Sequence, residues 1–77
     1  MSPENIKSAI EKSINASHVE VSGDDGAHFE AVVVSGEFEG KTPVERHKMV
    51  YAALGDAMRE EIHALSIKTY TPGQYGG

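Results

Sequence analysis

The residues of this 77-residue chain best suited to binding chemistry are its four histidines, His18, His28, His47 and His63, because it has no cysteine. Without thiolates, a metal must be held by imidazole, by carboxylates or by groups from another molecule. His28 opens one segment of alternating apolar residues and His63 immediately precedes another. If those segments are neighbouring parallel strands, both histidines lie at one end of a sheet, on backbones roughly 5 Å apart. Two imidazoles there could face a single ligand. Imidazole suits zinc, copper and iron, and two histidines can replace two cysteines on one iron of a [2Fe-2S] cluster. Two donors do not close a four-ligand site, so a partner would supply the others. The alternative is that both are ordinary strand-edge residues with local hydrogen bonds. His47 falls within the apolar stripe of a helix, where a packed core histidine is expected. His18, beside a turn, is expected to face solvent.

Other chemistry is less well served. Ser13, Ser17, Ser22, Ser35 and Ser66 sit in no nucleophile-elbow setting, and the acids form no evident pair, so no enzyme constellation is recognised. Glu20, Asp24, Asp25, Glu30, Glu37 and Glu39 form an acidic run with no Lys or Arg between residues 13 and 40. Against it stands one small basic patch, Lys41, Arg46 and Lys48, at the start of a helix. These three are the candidate nucleic-acid contacts of an alternative reading as a DNA-binding regulator. A formal net charge of -5 opposes affinity resting on phosphate contacts, and there is no Gly-rich phosphate loop.

The elements that must position these residues follow from periodicity. Ser2-Pro3 reads as an N-cap and first helical residue, and Ile6, Ala9, Ile10 and Ile14 recur on one stripe, predicting a helix over about 3–15. Val19 and Val21 alternate with His18, Glu20 and Ser22, and Gly23-Asp24-Asp25-Gly26 supplies a turn into a second strand over about 27–35. That strand puts Phe29, Ala31 and Val33 on one face and His28, Glu30, Val32 and Val34 on the other. Phe38 is the one large apolar residue of the next loop and is expected to plug the core edge. Thr42-Pro43-Val44-Glu45 carries a capping box. Behind it, Val44, His47, Val50, Tyr51, Leu54 and Met58 share an arc expected to pack, with Glu45, Lys48, Met49 and Arg59 outside it. Gly55-Asp56 divides this region into helices over about 43–54 and 56–62. Leu65, Ile67 and Thr69 then alternate in a third strand that ends at Thr71-Pro72-Gly73.

The predicted order is αββααβ, a small two-layer α+β domain with a three-stranded mixed sheet and helices on one face. The helical connection between the second and third strands suits a parallel pair. Residues 1–77 make a single domain, with 39% hydrophobic and 25% charged residues, ordinary globular proportions. The first residues lack the basic and apolar regions of a secretory signal, and no apolar run approaches the roughly 17 residues that span a bilayer. A cytoplasmic, monomeric protein that avoids membranes is expected. On the sheet's outer face, Val32 and Val34 among Glu20, Glu30, Lys68 and Tyr70 form a candidate docking surface.

With these residues located, the chain resembles the BolA-like family over nearly its whole length. The resemblance is carried by His28-Phe29 with Val32-Val33-Val34-Ser35, by Phe38-x-Gly40-Lys41, and by Val44-x-Arg46-His47-x-x-Val50-Tyr51-x-x-Leu54. It continues through Ile62-His63-Ala64-Leu65-Ser66-Ile67-Lys68 to Thr71-Pro72. It implies a fold akin to a class II KH domain, though the G-x-x-G loop of true KH domains is missing. It also implies a non-enzymatic adaptor that pairs with a monothiol glutaredoxin and shares a bridging [2Fe-2S] cluster, with sulfur ligands from the glutaredoxin cysteine and glutathione. The family's histidine before the third strand falls on His63, and its second hairpin-region ligand falls on His28. The isolated chain is then expected to bind no cofactor. Some bacterial relatives resemble stress-responsive transcription regulators, with the second and third helices as a helix-turn-helix, which is the DNA-binding alternative. The ending Gly73-Gln74-Tyr75-Gly76-Gly77 lacks the family's basic tail, with Tyr75 in place of its aromatic residue.

Overall fold

Hydroxyl-proline pairs punctuate the chain. All three of its prolines occupy the first turn of a helix directly after a serine or threonine, where the missing N–H costs nothing and the fixed φ favours the helix. The computed structural model describes residues 2–23, 28–55 and 64–76. Helix α1 spans Pro3–Ser13, with the Asn5 N–H donating to Ser2 Oγ at 3.3 Å. Strands β1 (Ala16–Ser22) and β2 (His28–Ser35) follow, then a single 3-10 turn, Gly36–Phe38. Helix α2 runs Pro43–Leu54, strand β3 runs Ala64–Tyr70, and a short helix α3 spans Pro72–Gly76.

The sheet order is β1-β2-β3, antiparallel between β1 and β2 and parallel between β2 and β3. This is the mixed three-stranded sheet expected from the helical connection. The third helix expected over 56–62, with Met58 and Arg59, lies outside the described residues. Ile6 and Ile10 from α1, with Ile14 directly after it, meet Val19, Phe29 and Val33 from the inner face, and Val50 and Leu54 from α2 complete the core. Phe38 is fully buried, as its isolation in a polar loop predicts. The end of α1 is pinned to the 3-10 turn. The buried Ser35 hydroxyl donates to the Asn15 carbonyl at 2.8 Å and accepts from the Glu37 N–H at 3.0 Å, while the Glu37 carboxylate accepts from the Asn15 N–H.

Helix α2 corrects the predicted stripe. Val44 is 64% exposed and Tyr51 40%, and His47 is only half-buried, whereas Met49 and Ala53 pack against the core beside Val50 and Leu54. The buried face is turned by roughly a quarter of the helix circumference. Its head is Arg46, which reaches back to the Lys41 carbonyl and over the Phe38 ring. Counting from Arg46, the positions at +3, +4, +7 and +8 are Met49, Val50, Ala53 and Leu54, the standard amphipathic spacing. A charged residue at the head of that series concealed it. Among the described residues, no helix is long and apolar enough to cross a membrane.

Candidate functional site

His28 is the first residue of β2 and is exposed, while its neighbour Phe29 is buried and anchors the strand start in the core. Packing at this end is close. A Cβ at Gly23 would stand 2.6 Å from Phe29 Cδ1 and 2.7 Å from the His28 carbonyl oxygen, so only glycine lets the hairpin approach here. The parallel pairing sets His28 opposite Ala64, Phe29 opposite Leu65, and so on to Val34 opposite Tyr70. His63, the other candidate ligand, lies outside the described residues and directly precedes Ala64 in sequence. The strand arrangement on which the two-imidazole reading depends is therefore present. Among the described residues, no three His, Asp or Glu side chains converge as a metal site.

The other histidines are placed differently. His47 sits on the flank of α2 rather than in the core. His18 keeps its side chain 42% exposed but is not free of contacts: its ring stacks on Tyr75 with centroids 5.3 Å apart and planes at 22°, and its Nε2 stands 3.8 Å from Glu20 Oε2. Val34 also departs from expectation. Although it lies on the outward line of β2, it is 2% exposed, so the open part of the outer face is confined to a shallow groove of about 310 Å³ around Glu20, Glu30, Val32, Ser66 and Lys68.

The basic patch is partly consumed by the fold. Arg46 Nε donates to the Lys41 carbonyl at 3.1 Å, Nη1 donates to Gln74 Oε1 at 3.1 Å, and the guanidinium lies 5.8 Å from the Phe38 ring centroid. Lys41 and Lys48 are exposed, but they alternate with Glu37 and Glu45 around one depression. Glu45 completes the α2 capping box. The Thr42 N–H donates to its carboxylate at 2.9 Å, and its own N–H donates to Thr42 Oγ1 at 3.2 Å. The backbone bond from Thr42, helped by the Thr42 hydroxyl and by Lys41 and Lys48, holds its carboxyl below the usual glutamate range.

The same device recurs at the chain's end. The Gln74 N–H donates to Thr71 Oγ1 at 3.3 Å and the Thr71 N–H to Gln74 Oε1 at 2.9 Å. Thr71-Pro72-Gly73-Gln74 thus repeats Thr42-Pro43-Val44-Glu45, a capping-box signal for α3 that a reading of Thr71-Pro72-Gly73 as a strand terminator passes over.

Comparison with known proteins agrees with this architecture. A sequence model of the family described as "BolA-like protein" matches residues 2–74. The chain is 47% identical over 76 residues to "Protein BOLA2" of Arabidopsis thaliana, covering 94% of this chain and 81% of that one. It is 34% identical over 79 residues to bovine "BolA-like protein 1", covering 91% of this chain but spanning only 58% of that protein's length. Among solved structures, the fold is similar to a bolA protein homologue from Coxiella burnetii, with a TM-score of 0.88 and 49% identity across 100% of this chain and 99% of that chain. With the family's sequence pattern along residues 2–74 and a fold shared with that solved homologue over the whole chain, the chain belongs to the BolA-like family.

Proposed function

We propose that the protein is a non-enzymatic adaptor that binds a monothiol glutaredoxin and shares a bridging [2Fe-2S] cluster with it as cargo, for iron-sulfur trafficking or regulation. His63 and His28 supply imidazole donors, and the glutaredoxin cysteine and glutathione supply thiolates. The observation that carries this reading is the parallel register of β2 and β3, which sets exposed His28 opposite the residue that follows His63. The donor set suits the cargo. A neutral imidazole in place of a thiolate raises a cluster's potential, and its ability to take a proton makes ligation reversible. A cysteine-free chain contributes to such a site only beside a thiolate-bearing partner. The proposed setting is the cytoplasm, with the chain monomeric between encounters.

Mixing the protein with a cluster-loaded monothiol glutaredoxin is expected to change the visible absorption and circular dichroism of the cluster. His63→Ala abolishes that change and His28→Ala weakens it. A change that survives His63→Ala intact refutes the ligand assignment. Among the described residues, the basic patch lends the DNA-binding alternative little support, because Arg46 is committed to Lys41, Gln74 and Phe38.

A further inference from the structure

The end of the sheet away from His28 carries a second constellation, which the proposed function leaves unused. His18 on β1, Val34 on β2 and Tyr70 on β3 are register partners in one row across the outward face. An outward valine on a sheet whose α1 and α2 pack on the other side would ordinarily meet water, yet Val34 is buried. Helix α3 packs against β2 and β3 here, and its Tyr75 ring lies on His18 and, tilted by 49° at 5.5 Å, against Tyr70. His18 Nε2 has no hydrogen-bond partner among the described residues. The imidazole therefore serves as a ring surface, with Tyr75 as its partner.

We propose that His18, Val34 and Tyr70 form a cup for an aromatic side chain, filled by the chain's own Tyr75, and that an aromatic residue of a partner polypeptide takes the cup when Tyr75 leaves it. The cup is built from three strands held in register, so it persists without its occupant. The occupant is held far less firmly. Helix α3 has five residues, two of them glycine, and a helix that short does not sustain itself. Its first turn is anchored by the Thr71–Gln74 capping box and by Arg46, but Tyr75 beyond it is 47% exposed and its ring contacts are with His18 and Tyr70. Lifting the ring leaves the anchor intact.

The surroundings define the partner's chemistry further. Val32 is the next outward residue of β2, so the cup opens along the sheet into the groove lined by Glu20, Glu30 and Lys68. Two carboxylates against one ammonium favour a segment whose aromatic anchor is followed by basic side chains. The cup stands at the other end of the sheet from His28 and fills or empties independently of cluster binding.

The test follows the Val34 methyl and His18 ring resonances by NMR while 4-methylphenol, a mimic of the tyrosine side chain, is added. Tyr75 is exposed enough that Tyr75→Ala keeps the fold. In that variant, 4-methylphenol shifts both sets of resonances saturably, at concentrations about tenfold below those needed in the unaltered protein, where Tyr75 competes. Tyr75→Phe behaves like the unaltered protein. Identical titrations with and without Tyr75, or no response at Val34, overturn the proposal. A second readout needs no variant. The Tyr75 N–H, bonded to the Thr71 carbonyl at 3.0 Å, exchanges faster when 4-methylphenol occupies the cup, whereas amides at the β1–β2 centre do not change. Unchanged exchange at Tyr75 under saturating 4-methylphenol also overturns it. In Tyr75→Ala, a short peptide with lysines after its tyrosine binds more tightly than one with glutamates, and the opposite order refutes the assigned partner chemistry.

Discussion

Replacing Arg46 separates a structural cation from a ligand-binding one. Its guanidinium makes two hydrogen bonds, to a backbone carbonyl and to a side-chain amide, each at 3.1 Å, and sits 5.8 Å from the Phe38 centroid. A fully buried hydrogen bond to a charged group is worth about 1.5–3 kcal/mol. Both bonds are exposed, which reduces this to about 1 kcal/mol for each, and a cation–π contact of this exposure adds about 0.5 kcal/mol. Arg46→Ala is thus expected to destabilise the fold by roughly 2–3 kcal/mol, a large share of what a domain of this size possesses. In thermal unfolding that corresponds to a fall of about 10–20 °C. Arg46→Lys keeps the charge, but an ammonium lacks the planar fork that reaches both acceptors, so it recovers less than half of the loss. Lys48→Ala, on the exposed side of the same helix, changes stability by less than about 0.5 kcal/mol. Urea unfolding followed by circular dichroism, with an unchanged m-value, measures all three. If Arg46→Lys is as stable as the unaltered protein, the guanidinium does not bridge Lys41 and Gln74 in solution.

Two further perturbations test the surroundings of the site and the helix start. Gly23→Ala drives a methyl group into the Phe29 ring and the His28 carbonyl, and is expected to cost roughly 1–3 kcal/mol in urea unfolding while shifting the His28 amide resonance. A cost below about 0.5 kcal/mol would show that the hairpin relaxes freely there. Thr42→Ala removes the α2 cap, with an expected loss of about 1 kcal/mol. It also raises the Glu45 carboxyl part of the way toward its ordinary range, because the hydroxyl contribution is lost while the larger one, the backbone N–H of residue 42, is kept. Because the folded carboxyl titrates below its unfolded value, its stabilisation is present above the usual glutamate range and is lost as pH falls through the lowered folded value. NMR titration of the Glu45 carboxyl in both proteins checks this, and an unmoved midpoint in Thr42→Ala contradicts the hydroxyl's share in the shift.

Much of the arrangement was legible because its signals are local. Ser2-Pro3 and Thr42-Pro43-Val44-Glu45 announced two helix starts, and α2 runs over 43–54 as predicted, while α1 ends at Ser13 rather than near residue 15. The alternation of Val19, Phe29, Ala31 and Val33 assigned the inner face correctly. What escaped was contextual. Arg46 heads the buried stripe of α2 because its stem and fork are used internally, which a scheme that sorts residues into apolar and polar does not register. Val34 reads as an outward valine until a five-residue helix from the far end of the chain covers it. The stacking of Tyr75 on His18, whose side chain stays 42% exposed, was missed for the same reason. Gly23 looked like one turn residue among several, and only the nearness of Phe29 shows that its missing side chain matters.

The parallel pairing that places His28 beside Ala64 also bears on the order of assembly. Ser22 and Glu30 meet across a short hairpin, whereas His28 and Ala64 are 36 residues apart in the chain, and so are Val34 and Tyr70. Closing a loop of that length costs entropy before any β2–β3 contact repays it. Folding should therefore zip the hairpin first and dock β3 late. Newly made chains would then bring His28 level with Ala64 only as the whole domain locks, so a half-folded molecule has no matched pair of positions at the end of the sheet where the cargo site is proposed.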